Sequence, residues 1–301
     1  MEVSIQLPNG HRMSGKRWGM PSSNNKDKRV LALHGWLDNA ATWDKLAPYL
    51  VQHDYVVVCL DFIGHGKSDH QDGDYSIMTH VLTTVSCIHA IGWDSLILMA
   101  HSMGAAVATI VSSVLTDVIK KLVLVEGLGD WPSSLDAVGV LNAGLETRTK
   151  AYMQRQPKIY PSIESAINKL RENNKTLAET SAKVIVQRSL LKVQDGYSFS
   201  HDPRLVAKPV SKFHEMDVRN FISNIKCPVL LFWTQKTMAS YSKQNIRGKT
   251  LAEIFEERTK CLPPGSRVII LSDGAHHVHL DAPELVWNHL QKFLGITSSK
   301  L

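Results

Sequence analysis

Short apolar runs alternate with longer amphipathic stretches along most of this 301-residue chain. The runs are rich in Val, Ile and Leu without polar alternation, which is typical of strands covered on both faces of a sheet. They occupy residues 30–33, 55–60, 95–100, 122–125, 228–233 and 267–271, after a hairpin across residues 9–10. Apolar residues at helical spacing fill the stretches 42–50, 77–91, 103–115 and 284–294. This alternation predicts an α/β fold on a mostly parallel sheet.

One long segment, residues 130–224, breaks the rhythm, because it contains several helix-like stretches and no second clear buried strand. Two residue pairs in it have the spacing of helix capping boxes: Ser133 with Asp136, and Thr176 with Glu179. The strands resume directly afterwards. We therefore interpret residues 130–224 as a helical cap inserted after the sixth strand, and residues 1–129 and 225–301 as the core. An independent helical domain with its own function is the alternative.

Composition excludes several classes of function. The chain has 34 Lys and Arg against 28 Asp and Glu, a net charge of +6, and its basic residues are scattered. This favours attraction to anionic small molecules over a nucleic-acid groove. The absence of a long apolar run and of a secretory signal predicts a protein that spans no membrane and stays inside the cell. Four widely spaced cysteines without a C-x-x-C pair predict reduced thiols.

The candidate nucleophile follows the apolar run at residues 95–100, where the sequence reads A-H-S-M-G at residues 100–104 before a small-residue helix. A serine on a sharp strand-to-helix turn needs small residues two positions away on either side, because the strained backbone there packs closely. The usual pattern is G-x-S-x-G, and Ala100 replaces its first glycine. With a strand before it and a helix after it, Ser102 is the predicted nucleophile.

A serine nucleophile needs a general base and donors for the oxyanion, and the chain offers candidates for both. The backbone N–H groups of Trp36 and Met103 are predicted to hold the oxyanion, a contribution of about 3–4 kcal/mol per donor. His276 follows the small residues after the last strand and is the predicted base. His277 and His279 are predicted to be structural, and a three-histidine metal cluster is the alternative.

Enzymes with a serine nucleophile and a histidine base most often carry the acid that orients the histidine after the fifth of these apolar runs, and this chain has none there. Residues 234–238, after the fifth of the six apolar runs, contain no carboxylate. Glu126 instead ends the preceding apolar strand, where a buried charge is costly unless it is paired. We therefore predict Glu126 as the acid, with Asp130 as the alternative. A plain ion pair of Glu126 with Lys or Arg is the structural interpretation.

A metal-dependent hydrolase is the other chemistry that the sequence suggests. His65, Asp69 and His70 partly match an H-x-H-x-D-H motif, but Lys67 stands where the middle histidine is required. We therefore predict no metal site and no cofactor. His65 is interpreted as a residue that braces its loop.

Four blocks of the chain resemble the α/β-hydrolase fold superfamily along nearly the whole core. They lie at residues 33–43, 61–69, 100–104 and 274–284. The first block, with residues 197–205, is most similar to the serine hydrolase-like (kraken-type) group. The resemblance implies an eight-stranded, mostly parallel sheet, a helical lid and a Ser-acid-His triad, and the order Ser102, Glu126, His276 matches it. Haloalkane dehalogenases with an acid after the sixth strand, and epoxide hydrolases, use Asp as nucleophile, so Ser102 argues against both.

These features predict a serine hydrolase that cleaves carboxylic esters of small to medium apolar substrates through an acyl-enzyme, without a cofactor. An acyl-CoA thioesterase is one alternative. A ligand-binding protein that has lost hydrolysis is the other, because no acid stands near Thr237.

The chain ends in Ser299, Lys300 and Leu301, the tripeptide that the peroxisomal import receptor reads at a C-terminus. We predict import into the peroxisomal matrix through that receptor, with a cytoplasmic share where import is incomplete. Residues 295–298 after the last predicted helix are expected to present the tripeptide on an exposed tail.

Overall fold

The computed structural model describes residues 1–20, 26–153 and 158–296. The strands within these ranges are β1 (Glu2–Gln6), β2 (Arg12–Trp18), β3 (Arg29–Leu33), β4 (Val56–Leu60), β5 (Leu96–His101), β6 (Ile119–Val125), β7 (Leu190–Val193), β8 (Gly196–Phe199), β9 (Val229–Thr234), β10 (Asn245–Ile246), β11 (Lys249–Thr250) and β12 (Arg267–Leu271). The α-helices are α1 (Ala47–Val51), α2 (Ile77–Ile91), α3 (Met103–Val114), α4 (Ala137–Met153), α5 (Ile163–Asn173), α6 (Glu179–Ser189), α7 (Glu215–Asn224), α8 (Gln235–Tyr241), α9 (Leu251–Thr259), α10 (Val278–Asp281) and α11 (Pro283–Leu294).

Eight strands form one central sheet in the order β1-β2-β4-β3-β5-β6-β9-β12. The pairs β1–β2 and β2–β4 are antiparallel and the other pairs are parallel. Every residue of β4, β5 and β9 is buried, which explains why these segments read as unbroken apolar runs. The predicted eight-stranded, mostly parallel sheet is therefore confirmed.

Helices cover both faces of this sheet. On one face, Ile88 of α2, Val107 of α3 and Ile222 of α7 belong to a single apolar cluster with the strands. On the other face, Leu50 of α1 and Trp287 of α11 pack in a second cluster. The carboxyl ends of β3, β5, β6 and β9 thus open at one edge between two packed layers, the usual position of a site in an α/β sheet. Throughout the described ranges, no helix has the length and hydropathy that crossing a membrane requires.

The helix predicted over residues 42–50 is instead split in two. A short 3₁₀ turn at Ala40–Trp43 is capped by Asn39, and α1 begins only at Ala47. Pro48 lies in the first turn of α1, where its missing N–H costs nothing, but it cannot continue a helix arriving from upstream. The expected single helix was wrong for that reason.

The segment between β6 and β9 holds α4 to α7 and the hairpin β7–β8. The two expected capping boxes do not form. Asp136 itself accepts the Gly139 N–H at 2.7 Å just before α4, and α6 follows Ala178, which has no side chain able to cap it. The hairpin was missed because its strands are half exposed and carry no apolar run. That this segment forms a lid over the site, with the predicted boundaries, stays a proposal.

A buried ion pair anchors α6 to the core. The Arg188 guanidinium binds the Asp61 carboxylate through two bonds, Nη2–Oδ2 at 2.8 Å and Nε–Oδ1 at 3.2 Å. Both side chains are almost fully buried, and Asp61 also accepts the Ala40 N–H at 2.6 Å. The pair therefore joins the inserted segment, the end of β4 and the turn at residues 40–43.

Replacement of Arg188 by Met is expected to lower the free energy of unfolding by about 3–5 kcal/mol, because it leaves a buried carboxylate without its charge partner. Urea unfolding of the variant and the wild type measures this change. Lys150→Met is the control, because Lys150 and its partner Glu146 on α4 are exposed and the change should leave stability unchanged. Equal midpoints for Arg188→Met and wild type would contradict the anchoring role.

His80 of α2 gives the core a predictable response to acid. It is fully buried against Phe62, and neither ring nitrogen has a hydrogen-bond partner among the described residues. Burial lowers the pKa of His80 to about 3. The unfolded chain binds this proton below about pH 6.5 and the folded chain does not, so stability falls as the pH drops.

We expect the free energy of unfolding to fall by about 1.4 kcal/mol per pH unit between pH 6 and 5 for each histidine of this kind. His80→Leu removes one such proton, so its stability should depend less steeply on pH over that interval. Urea unfolding at pH 7, 6 and 5 compares the two slopes. Identical slopes would contradict the lowered pKa of His80 in the folded protein.

Candidate active site

The predicted nucleophile stands on a sharp turn between β5 and α3. Ser102 has φ 53° and ψ −117°, a conformation that costs a non-glycine residue about 1–3 kcal/mol. Its N–H donates to the Val125 carbonyl at 3.0 Å, which holds the turn against β6. A Cβ on Gly104 would lie 2.6 Å from the His34 carbonyl oxygen, so only glycine fits there. The turn therefore presents the Ser102 side chain at the carboxyl edge of the sheet.

His276 meets this serine from the loop between β12 and α10. Its Nε2 lies 3.0 Å from Ser102 Oγ, within hydrogen-bonding distance. The imidazole is about one-third exposed, at 35% of its side-chain surface, so solvent reaches it. This contact lets Nε2 accept the hydroxyl proton, as a general base must.

Glu126, at the end of β6, lies on the other side of the imidazole. Its side chain is fully buried, and its Oε2 lies 3.6 Å from His276 Nδ1. Its Oε1 accepts the N–H of Thr234 at 2.6 Å. Thr234 ends β9, and enzymes with a Ser-acid-His triad most often carry the acid after this strand. Here the backbone N–H of Thr234 binds a carboxylate that comes from the neighbouring strand, β6. Catalytic hydrogen bonds are often this long in structures without a substrate.

Asp130, the alternative acid, and Thr237, near which the usual acid is missing, have different contacts. Asp130 Oδ1 accepts the Trp131 N–H at 2.8 Å and lies 3.6 Å from Lys212 Nζ. Thr237 donates its N–H to Thr234 Oγ1 at 3.3 Å, as part of the N-terminal cap of α8. The structure thus brings Glu126, and not Asp130, to the His276 imidazole.

A cavity of about 300 Å³ opens beside these groups. The side chains and backbone that line it are Trp36, Ile77, Ser102, Met103, Ala106, Glu126, Gly127, Gly129, Asp130, Trp131, Tyr241, Phe255 and His276. The N–H of Met103 belongs to the first turn of α3, where no helical carbonyl is available to it. Both predicted oxyanion donors, Trp36 and Met103, therefore border the same cavity as the serine.

A larger cavity of about 500 Å³, between α4 and residues 210–215, is lined by none of Ser102, Glu126 and His276.

The other predicted histidines are buried and bonded elsewhere. His277 Nε2 lies 3.4 Å from Asp38 Oδ1, and His279 Nε2 lies 2.8 Å from Thr42 Oγ1. Because His276, His277 and His279 each face a different partner, they do not form the three-histidine cluster that was the alternative. His65 points Nδ1 at the carbonyl of residue 63, at 3.3 Å, as expected of a residue that braces its loop.

Sequence reasoning missed two residues next to the site. His101, directly before the nucleophile, has Nε2 2.8 Å from the carbonyl oxygen of His276. Its Nδ1 lies 3.5 Å from Asp38 Oδ2. The only signal for either residue was its position inside a block that resembles the superfamily, since nothing local reveals a contact across 63 positions of chain, 101 − 38.

Comparison with known proteins defines the class. Residues 28–283 match the family model described as the alpha/beta hydrolase fold, so this chain belongs to that family. A serine hydrolase-like protein of Dictyostelium discoideum is 29% identical over 288 residues, which cover 93% of this chain and 77% of the relative. Serine hydrolase-like protein 2 of Homo sapiens is 27% identical over 305 residues, covering 98% and 94%. The predicted likeness to the serine hydrolase-like group is confirmed.

A solved structure agrees with this placement. The crystal structure of a hypothetical protein from Pseudomonas aeruginosa PAO1 superposes with a TM-score of 0.82 at 27% identity, and 98% of each chain is covered. The names and the fold together support a hydrolase.

Proposed function

We propose that this protein is a serine hydrolase that cleaves carboxylic esters through an acyl-enzyme. The observation that carries the proposal is the 3.0 Å contact between Ser102 Oγ and His276 Nε2, made by a serine on a strained turn. Glu126 supports it, because a buried carboxylate 3.6 Å from Nδ1 favours the tautomer that leaves Nε2 free to accept a proton.

In the proposed reaction, Ser102 Oγ attacks the ester carbonyl carbon and its proton passes to His276 Nε2. The N–H groups of Trp36 and Met103 hold the resulting oxyanion. Collapse breaks the ester C–O bond, and the imidazolium returns the proton to the leaving alkoxide. Water then gives a proton to His276 and attacks the acyl carbon, which releases the acid and restores the Ser102 hydroxyl.

The cavity supports small to medium apolar substrates. Its volume of about 300 Å³ is at the lower end of the range for ligand pockets. Trp131, Tyr241 and Phe255 pack against one another along its wall, with ring centroids 5.3–6.1 Å apart. These three rings would contact the acyl or alcohol group of the ester.

An acyl-CoA thioesterase is the second candidate, and a neighbouring cavity favours it. This cavity, also about 300 Å³, shares Trp36 and Met103 with the first. Four basic residues line it against two acidic ones: Arg148, Arg204, Lys208 and Lys212, with Asp74 and Asp130. Arg148 pairs with Asp74, Lys212 with Asp130 and Arg204 with Asp202, so the charge of Lys208 is the one that would attract the phosphates of a CoA group.

Matched substrates with the same acyl group separate the candidates. We expect kcat/KM to be higher for the nitrophenyl ester than for the acyl-CoA. The opposite ranking would favour the thioesterase, above all if Lys208→Gln lowers kcat/KM for the acyl-CoA and not for the ester. Turnover of neither substrate would favour a ligand-binding protein.

We further propose that the protein enters peroxisomes through Ser299, Lys300 and Leu301, which lie outside the described residues. A fluorescent protein fused to residue 1 of the full chain should collect in peroxisomes, and deletion of Leu301 should leave it in the cytosol. Identical distributions of the full chain and the deletion variant would contradict peroxisomal import through this tripeptide.

A further inference from the structure

Three buried side chains converge behind the nucleophile. Asp38 Oδ2 lies 3.5 Å from His101 Nδ1, and Asp38 Oδ1 lies 3.4 Å from His277 Nε2. One atom from each residue can be chosen so that all three lie within 4.8 Å of one another. With bonds of about 2.0–2.1 Å, neighbouring ligand atoms of a tetrahedral zinc ion are roughly 3.3–3.5 Å apart. Two separations therefore match an edge of such a site, each to a different oxygen of Asp38, and the complete set of three atoms lies within 4.8 Å.

The hydrogen bonding of His101 leaves a lone pair directed into this cluster. Its Nε2 lies 2.8 Å from the carbonyl oxygen of His276, which can only accept, so Nε2 carries a proton. In a neutral imidazole the other nitrogen, Nδ1, then carries no proton. Nδ1 is fully buried without a hydrogen-bond partner among the described residues.

That lone pair faces an anion. Asp38 Oδ2 lies 3.5 Å from this nitrogen. Asp38 Oδ2 accepts a long hydrogen bond from the Thr42 hydroxyl at 3.4 Å, but on the side of His101 it faces a second acceptor, Nδ1. A cation between these two buried acceptors would relieve the unfavourable contact. Gly35 keeps this space open, because a Cβ there would lie 2.9 Å from Nδ1 and 3.2 Å from Oδ2.

We propose that Asp38, His101 and His277 bind one divalent transition-metal ion of the Zn²⁺ type. Two imidazoles and one carboxylate are a donor set that suits this borderline-soft ion. The bond from His101 Nε2 to a backbone carbonyl is the outer contact that metal-binding histidines usually make. This inference departs from the sequence-based expectation of no metal site.

The position of the ligands gives the ion a structural role. Asp38 lies two residues after the oxyanion donor Trp36, His101 directly precedes Ser102, and His277 directly follows His276. An ion held by all three would tie together the three loops that carry the proposed donor, nucleophile and base. It would touch no substrate and take no part in the ester chemistry.

Metal titration of the full-length protein tests the site without reference to activity. Protein freed of metal by a chelator is titrated with Zn²⁺ in a calorimeter, and also refolded with Zn²⁺ because the ligands are buried. We expect one equivalent to bind with micromolar or tighter affinity and to raise the melting temperature. Co²⁺ in its place should give the visible bands of a four-coordinate nitrogen and oxygen site, without a thiolate charge-transfer band.

Substitutions then locate the ion. His277→Gln and Asp38→Asn should each weaken Zn²⁺ binding by more than the roughly 10- to 100-fold that loss of an outer contact costs. His53→Gln is the matched control, because His53 stacks on Trp287 away from the cluster, and it should bind Zn²⁺ as the wild type does. Circular dichroism establishes that each variant is folded.

Three outcomes would overturn the proposal. One is wild-type protein that binds no Zn²⁺ below millimolar concentration, whether the ion is added or present during refolding. Another is equal binding by the wild type and both ligand variants. The third is a Co²⁺ spectrum with a thiolate band, which would place the ion on cysteines. Because the first and third use only the wild type, they decide the question even if a variant fails to fold.

Discussion

Replacement of Ser102 by Ala is expected to reduce kcat for a short-chain nitrophenyl ester by about 10⁴- to 10⁶-fold. The variant keeps the cavity and the His276–Glu126 contact but lacks the oxygen that forms the acyl bond. Steady-state kinetics of the two proteins measure the change, and KM should move little because binding does not depend on Oγ.

A serine on the following helix provides the control for this variant. Ser113 of α3 donates its hydroxyl to the Ile110 carbonyl at 2.7 Å and does not line the cavity. Ser113→Ala should therefore keep kcat within a few-fold of the wild type. If Ser102→Ala also kept it, the nucleophile would have to be another residue.

Replacement of Glu126 by Gln should lower kcat by about 10²- to 10⁴-fold, as expected when a histidine loses the carboxylate that fixes its tautomer. The amide is nearly isosteric, and its oxygen can still accept the Thr234 N–H, so the fold should survive. The lost charge no longer stabilises the imidazolium formed in the reaction. Kinetics on the same ester should show the effect in kcat rather than in KM.

Asp130→Asn separates the two acids, since Asp130 lies at the same cavity but pairs with Lys212. We expect that variant to retain most of the wild-type kcat. A large loss in Asp130→Asn, together with near wild-type kcat in Glu126→Gln, would contradict the assignment of Glu126.

The parts of this architecture that local sequence determines were predictable. A strand covered on both faces must be apolar throughout, so β4, β5 and β9 were visible as unbroken runs. The turn at Ser102 requires small residues at fixed positions, because a Cβ on Gly104 would lie only 2.6 Å from the backbone carbonyl oxygen of His34. Glu126 was recognisable because a carboxylate at the end of a buried strand needs a partner.

The parts that depend on distant contacts were not predictable. The hairpin β7–β8 is half exposed, so its side chains need no apolar pattern. Asp38 and His101 meet only because β3 and β5 are neighbours in the sheet. Ser133 and Asp136 have the spacing of a capping box, but α4 begins directly after Asp136. Several polar residues precede this helix and each could cap it, so the spacing alone does not identify the cap.

The adjacent carboxyl ends of β6 and β9 explain how the acid can come from β6. The strands β6 and β9 are parallel neighbours, so their carboxyl ends lie side by side. Glu126 donates its N–H to the Phe232 carbonyl at 2.9 Å and takes a positive φ of 57°, which turns its side chain toward His276. A carboxylate can thus reach the imidazole from either strand, and the Thr234 N–H fixes it when it comes from β6.

Covalent labelling tests the central claim most directly. Wild-type protein is treated with a fluorophosphonate, its mass is measured intact, and the modified peptide is sequenced by mass spectrometry. The proposed mechanism predicts one adduct per chain, on Ser102. An unmodified folded protein, or an adduct on a different residue, would contradict it.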